Sequence, residues 1–405
     1  METGCIVMNF MEECFADLHI HIGRTMHNRP VKITASRTLT LTNIVEEAVT
    51  RKGMHMIGII DCHSPEVQEE IDCHLETGRM QELPGGGYRY ATSEGEVTLI
   101  AGIEVELAVG RGLAHFLVYL PDRTAFATFR EWYQTKVKNI HLSTQRMYTD
   151  PETLVMKAEA VGGIVIPAHA FTPHKSIYGA CVESLASVLP VHRFAALELG
   201  LSSDSDLADG LAELAEMTFV TNSDAHSTAK IAREYQNLQI KRPDFTELLL
   251  ALARKEDRRV RENYGLHPQL GKYYRTRCTN CEELVAQTDS PRCPHCGKEG
   301  KKTITRGVYE RFQEISTQLP ASHPAHRPPY RYHIPLEFIP GLGPGRMRKL
   351  LAAFGTEMNI LHHVSVDQLT EAVGATVAQA IDRSRRGEIS FIEGGAGMYG
   401  KISLE

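Results

Sequence analysis

Phe15-Ala16-Asp17-Leu18-His19-Ile20-His21 is the stretch that decides the fold. Its apolar character reads as a buried β-strand, and the period of two puts the imidazoles of His19 and His21 on one face, where both can reach one ion. Six further short apolar runs follow outward from it, at residues 56–60, 98–105, 115–120, 163–166, 194–199 and 218–221. Helical stretches such as 41–52 and 151–161 lie between several of them, the second opened by Asp150-Pro151. This alternation predicts a parallel α/β sheet or barrel. Residues able to bind metals stand at the ends of the runs: Asp17, His19 and His21; Asp61 and His63; Glu104 and Glu106; His169; Glu198; Asp224 and His226. His115 instead begins its own run. The carboxyl ends of the strands surround one site in parallel α/β architectures, so the pattern predicts a multinuclear metal centre. A carboxylate can bridge two ions and an imidazole cannot, which makes Glu104 the natural bridge.

The 405-residue chain is 42% hydrophobic and 23% charged, an ordinary globular composition that excludes disorder and collagen-like or low-complexity architectures. Its length suggests two or three domains, or one barrel with attachments. No apolar run approaches the roughly 18 residues that span a bilayer. The first fifteen residues, interrupted by Asn9, Glu12 and Glu13, do not read as a secretory signal. A cytoplasmic location with no membrane partner is therefore expected. The net charge of −6 conceals an asymmetry: residues 1–240 hold 19 Lys and Arg against 31 Asp and Glu, and residues 241–405 hold 25 against 19. An acidic front half suits a metal-bearing domain and a basic rear half suits a polyanion, unless each half simply has its own surface. Nineteen histidines, more than the 13 Phe or 14 Tyr, ask for a chemical explanation.

Five of the nine cysteines (Cys5, Cys14, Cys62, Cys73, Cys181) are scattered through the front half. The other four, Cys278, Cys281, Cys293 and Cys296, read C-x2-C-x11-C-x2-C. In a reducing compartment two such knuckles mean tetrahedral zinc, with a redox pair or an iron–sulfur cluster as the alternatives. Four thiolates leave no open position, so this zinc is structural and stabilises a small domain without an adequate core of its own.

FADLHIH, GIIDCH, GIEVEL, HFLVYL, IPAHAF and NSDAH, in that order, resemble the motifs of the PHP (polymerase and histidinol phosphatase) superfamily over roughly residues 14–240. The resemblance implies a distorted (β/α)7 barrel holding two or three zinc, manganese or magnesium ions that hydrolyse phosphate esters. Carried over by position, the ligands would be His19, His21, His63, Glu104, His115, His169, Asp224 and His226. His27, six residues after His21, corresponds to a further ligand in some members. Asp61 corresponds to a position that orients a neighbouring histidine. His141, in the polar stretch NIHLSTQR, reads as a ligand, a substrate contact or neither.

The attachments speak to the substrate. Residues 241–276 read as a helical, highly charged stretch leading into the four-cysteine ribbon, and residues 320–335 as an extended Pro- and Arg-rich linker. Ile339-Pro340-Gly341-Leu342-Gly343-Pro344-Gly345, followed by Arg346, Met347, Arg348 and Lys349, resembles a helix-hairpin-helix motif. Gly341, Gly343 and Gly345 let backbone approach a phosphate, the next helix presents free N–H groups, and Arg346, Arg348 and Lys349 add charge, so DNA would be held without reading its sequence. A second hairpin at Gly374-Ala375-Thr376 lacks the second glycine and reads as a repeat that packs rather than touches DNA.

The order of barrel, ribbon and hairpin pair, together with ALELGLSSDSDLAD and VTNSDAHS, resembles the endonuclease Q family over essentially the whole chain. The expected organisation is a PHP barrel at 1–265, a zinc ribbon at 266–319, a linker at 320–336 and a tandem all-α helix-hairpin-helix domain at 337–405. The resemblance implies a DNA repair endonuclease that nicks 5′ of uracil, hypoxanthine, xanthine or an abasic site in double- or single-stranded DNA. Asp224, Glu104 and His169 would be its catalytic residues. The loop Phe171-Thr172-Pro173-His174-Lys175-Ser176-Ile177-Tyr178-Gly179 is a candidate for contacts to the base. A small-molecule phosphatase, an exonuclease and a DNA-binding scaffold with a degenerate barrel are the competing readings.

Overall fold

A computed structural model describes residues 11–286, 290–300, 303–388, 390–392 and 401–403. Residues 1–10, on which most of the N-terminal reading rests, and 393–400 of the terminal domain lie outside the described residues. The strands are β1 (Glu12–Ile20), β2 (Met56–Ile59), β3 (Met80–Glu82), β4 (Tyr88–Ala91), β5 (Glu96–Val109), β6 (Gly112–Tyr119), β7 (Ile164–Pro167), β8 (Leu197–Glu198), β9 (Phe219–Val220), β10 (Tyr235–Ile240), β11 (Arg259–Gly265), β12 (Arg277–Cys278), β13 (Ile304–Thr305) and β14 (Tyr330–Tyr332). The helices of the front half are α1 (Leu41–Glu47), α2 (Pro65–Glu76), α3 (Arg123–Tyr133), α4 (Pro151–Glu159), α5 (Ser205–Ala208) and α6 (Phe245–Leu252). Side-chain oxygens of Thr40, Asp122, Asp150, Asp204 and Asp244 cap five of them.

Seven strands form the ring of a distorted α/β barrel. β1 runs parallel to β2 and β2 parallel to β5. β5, β6 and β7 pair antiparallel in turn. Hydrogen bonds from Ala195 N to Val165 O (3.1 Å) and from Ala170 N to Glu198 O (2.9 Å) join β7 to β8, which is parallel to β9. Ala225 N to His19 O and His21 N to Ala225 O, both 3.1 Å, return the chain to β1. The reversal of β6 is the distortion, and it accounts for His115: the start of an antiparallel strand lies at the rim where its neighbours end. Alternate residues of β1 and β6 enter different hydrophobic clusters, Ala16, Leu18, Leu117 and Tyr119 in one and Phe15, Phe116 and Val118 in the other.

β3 and β4 extend the sheet beyond β5, and β10, β11 and β14 extend it beyond β1. Residues 241–276 differ from the helical reading. After α6 the chain turns, and Arg259–Gly265 forms β11 against β10, because Val260 and Tyr264 point their apolar surface inward while Arg259 and Arg261 stay out. The Pro-rich stretch at 320–335 is extended but pinned. β14 pairs with β11, and the Arg327 guanidinium lies 2.7 Å from Asp209 and 3.6 Å above the Phe219 ring. The rear helices are α7 (Val308–Ile315), α8 (Pro344–Phe354), α9 (Glu357–His362), α10 (Val366–Val373) and α11 (Ala375–Arg385). Among the described residues no helix is long and apolar enough to cross a membrane.

Candidate metal centre

Each ligand reaches the rim for a local reason. β1 carries His19 and delivers His21 just past its end, while Asp17 accepts N–H groups from Ser223 (3.0 Å) and Ala232 (2.9 Å) and so holds the loop that bears Asp224 and His226. His169 (φ 29°), Asp224 (φ 46°), Thr144 (φ 51°) and Lys175 (φ 55°) all adopt left-handed backbone beside the site, a strain that marks functional loops. Gly200, at φ 83°, gives way to His169: a Cβ there would lie 2.9 Å from the His169 Cβ.

Glu104 is the hub. Its Oε1 lies 2.9 Å from His115 Nδ1, 3.5 Å from His169 Nε2 and 3.6 Å from His19 Nε2. Its Oε2 lies 3.5 Å from His21 Nε2 and 3.1 Å from Lys32 Nζ, and accepts from the Thr144 hydroxyl. Asp224 Oδ1 stands 3.4 Å from Nε2 of both His19 and His21, and 3.5 Å from His226 Nδ1. Three overlapping groups result, each with ligand atoms within 4.8 Å of one another: His19, His21 and Glu104; His21, Asp224 and His226; Glu104, His115 and His169. The far ring nitrogens are already engaged, His19 Nδ1 with Glu198 (2.9 Å) and His21 Nδ1 with Asp61 (3.0 Å). That fixes the tautomer which turns each Nε2 lone pair to the cluster. Both Nε2 atoms are buried without a hydrogen-bond partner among the described residues. A divalent cation between such nitrogens and their carboxylates satisfies all of them, and the N/O donor set suits zinc or manganese.

The electrostatics agree. Burial alone would lower the His19 imidazole, but Glu198, Asp224 and Glu104 raise it to about 10. Against the burial that raises them, His115 and Lys32 hold Glu104, and His19 and His21 hold Asp224, well below the usual carboxylate range. A field that favours a proton on imidazole also favours a metal ion, so acid competes with metal here.

His63 is buried beside the cluster but outside the three groups: its Nε2 faces Leu142 O at 3.1 Å and its Nδ1 has no partner among the described residues. His27 is corrected. The turn closed by Asn28 N to Thr25 O and Thr25 N to Arg29 O bends outward, leaving His27 49% exposed and 3.5 Å from Glu69 of α2. His141 is exposed, whereas Ser143 and Thr144 after it reach His21 and Glu104. Lys32 and Thr144 were not legible, since neither falls in a periodic run or a motif.

A cavity of about 490 Å³ opens over the cluster. Lys32, Lys175, Lys230, Arg233 and Lys272 line it from distant parts of the chain, together with Tyr273. Cations ringing an acidic cluster suit an anionic substrate. Of the loop expected to contact a base, Thr172, His174 and Lys175 line this cavity, but Phe171 and Tyr178 stack on each other at 5.1 Å in the core, with Phe312 of α7 beside Phe171.

No family model matches the chain. Uncharacterized protein YqxK of Bacillus subtilis (strain 168) is 46% identical over 395 residues, covering 97% of this chain and all of that one. Uncharacterized protein MJ0043 of Methanocaldococcus jannaschii is 30% identical over 299 residues, 68% of this chain and 35% of that one. The lesion-specific endonuclease PfuEndoQ of Pyrococcus furiosus superimposes with a TM-score of 0.82 at 28% identity, over 97% of this chain and 96% of that one. An endonuclease Q complex with a 27-mer duplex bearing an abasic lesion at the active site gives 0.82 at 27%, over 97% of each. The chain belongs to the endonuclease Q family.

In this endonuclease Q chain the four rear cysteines converge as their spacing predicted. Sγ separations of 3.8 Å (Cys278–Cys296) and 3.7 Å (Cys281–Cys293) match the ~3.8 Å between thiolates held at about 2.3 Å from a tetrahedral ion. Against the burial that raises it, N–H groups of Cys281 and Asn280 lower the Cys278 thiol, which favours the ligating thiolate. Gly341 (φ 80°) turns the first hairpin into α8, whose Met347 and Leu350 face inward. Gly341, Gly343, Gly345, Arg346, Arg348 and Lys349 are exposed, with Arg346 donating to Gly341 O at 2.8 Å. The second hairpin packs through its helices and leaves its turn open. Helices α10 and α11 pack through Leu369, Val373, Val377 and Ile381, yet Gly374, Ala375 and Thr376 at the turn stay exposed.

Proposed function

We propose that this endonuclease Q is a metal-dependent DNA repair endonuclease that nicks the phosphodiester 5′ of a deaminated base (uracil, hypoxanthine or xanthine) or an abasic site. The observation that carries the reading is the set of buried, converging imidazoles and carboxylates under a cavity ringed by cations. Similarity along the whole chain to an endonuclease Q bound to a lesion-bearing duplex supports DNA as the substrate.

His19, His21, Glu104 and Asp224 would hold one ion, and Glu104, His115 and His169 another. Such ions supply a bound water of lowered pKa and neutralise charge developing on the phosphoryl oxygens. Asp224 orients the attacking water and takes its proton at a carboxylate oxygen. Glu198 and Asp61 keep the two imidazoles of β1 in the ligating tautomer. Lys175, Lys230, Arg233 and Lys272 bind phosphates flanking the scissile bond, which positions the strand without reading its sequence. The cavity accommodates a nucleotide turned out of the stack, a step that costs less for a mispaired or missing base. The ribbon zinc, the first hairpin with Arg346, Arg348 and Lys349, and the barrel act as the units 266–319, 337–405 and 1–265, joined through 320–336.

Labelled duplexes with a single uracil, hypoxanthine, abasic site or normal base, offered with manganese, magnesium or zinc, test this. One internal nick at the lesion, lost in Asp224→Asn while duplex binding stays within about threefold, is the expected result. Laddering from an end, or release of phosphate from a monoester without DNA cleavage, would overturn it.

A further inference from the structure

The three ligand groups share residues, and the sharing limits how many ions the barrel holds. Each imidazole nitrogen offers one lone pair. His21 has Nδ1 committed to Asp61, so its Nε2 serves one ion only. The two groups that contain His21 therefore merge into one site around Asp224 Oδ1, 3.4 Å from both Nε2 atoms. Glu104, His115 and His169 make the second. A third ion bridged by Glu104 would have to sit at Oε2, and a side chain of this protein already stands there. Lys32 Nζ lies 3.1 Å from Oε2 and 2.6 Å from the Thr144 hydroxyl, which donates to the same carboxylate oxygen.

Lys32 is built into that place. Its backbone N–H donates to Ile22 O at 2.9 Å, one residue past His21, and Ser143 N donates to Val31 O at 2.9 Å. Segment 31–32 is thus laced between the ligand-bearing end of β1 and the segment that carries Thr144. The side chain is 15% exposed and borders the cavity. Neither further histidine joins the three groups: His27 turns to Glu69, and His63 has Nε2 on Leu142 O and its Nδ1 outside them.

We propose that Lys32 is a built-in cation of the catalytic cluster: its ammonium takes the third cation position on Glu104, limits the barrel to two metal ions and places a fixed positive charge beside the substrate phosphate. The proposal rests on the metal-centre reading above. It has a signature that a packing role lacks. An ammonium beside the bridging carboxylate repels divalent ions and attracts a phosphodiester, so its removal tightens metal binding while it slows cleavage. A lysine that only holds the 143–144 segment would loosen the cluster and weaken both.

Metal content of the intact chain, read by native mass spectrometry after saturation with zinc, is expected to reach three ions, two in the barrel and one in the ribbon. Four ions would overturn the proposal, and this count needs no variant. In Lys32→Met, barrel metal affinity measured by chelator competition is expected to rise by about tenfold or more, with Lys32→Arg staying near the native value. Nicking by Lys32→Met is expected to fall about a hundredfold. An unchanged or weakened metal affinity in Lys32→Met would contradict the assignment. The titrations contain no DNA, so a protein that nicks no damaged duplex would refute the proposed function and leave the Lys32 result standing.

Discussion

Glu198 ties three ligand-bearing segments together from behind the cluster. Its carboxylate meets His19 Nδ1 at 2.9 Å, the His169 N–H at 2.7 Å and Asn222 Nδ2 at 2.8 Å. Glu198→Gln keeps the shape and removes the charge, so barrel metal affinity should fall about 10- to 100-fold with the fold intact, as chelator competition and circular dichroism would read. Glu234 carries a different prediction. Burial raises its carboxyl from 4.5 to about 8, and one of its oxygens lacks a partner among the described residues. The native chain then keeps a proton that the unfolded chain has released, so between those two values stability falls as pH rises and levels off above. Glu234→Gln should exceed the native protein by about 1–3 kcal/mol in urea unfolding at pH 9, and the gain should shrink toward zero by pH 5. Residues at strand ends were legible because a short apolar run fixes where its terminus lies. His27 and Lys32 were not: both sit between β1 and α1, where loop geometry alone sends one side chain out and the other in.

Element by element, orientation was harder to read than existence. The seven runs of the ring are all strands, but β6 runs against its neighbours because Gly110 and Arg111 make a two-residue hairpin, and so short a link permits only antiparallel pairing. That signal was present in the sequence as Val109-Gly110-Arg111-Gly112. β11 was hidden by its arginines, which made an edge-side strand resemble a charged helix. The terminal helices dock on the barrel through a buried ion cluster. Glu357 at the start of α9 meets Lys52 Nζ at 2.9 Å and Arg51 Nε at 3.0 Å, with Lys52 and Glu357 both under 10% exposed. Glu357→Ala leaves Lys52 buried without its carboxylate. A loss of about 3 kcal/mol in denaturant unfolding is expected, with faster proteolysis in the segment before α8.

Over the whole molecule, charge is arranged by segment rather than by net value. The acidic front half places Glu104, Glu198 and Asp224 at one rim, while cations from residues 32 to 272 surround that rim and the exposed face of α8 adds more. Replacing Arg346, Arg348 and Lys349 together by Ala should weaken duplex binding evenly across sequences. It should also reduce the slope of log affinity against log salt by about two to three. A smaller slope change than the number of charges removed is expected, because Arg346 also braces the hairpin carbonyl of Gly341. The order of barrel, ribbon and hairpins was legible because each unit carries its own local chemistry. How they pack was not, since contacts such as Lys52 with Glu357 join residues some three hundred positions apart. The convergence of the front-half ligands is tested most directly by anomalous diffraction from crystals soaked in manganese. Two peaks are predicted, one among His19, His21, Glu104 and Asp224 and one among Glu104, His115 and His169. Peaks away from these residues, or none at the barrel rim, would contradict a shared metal cluster.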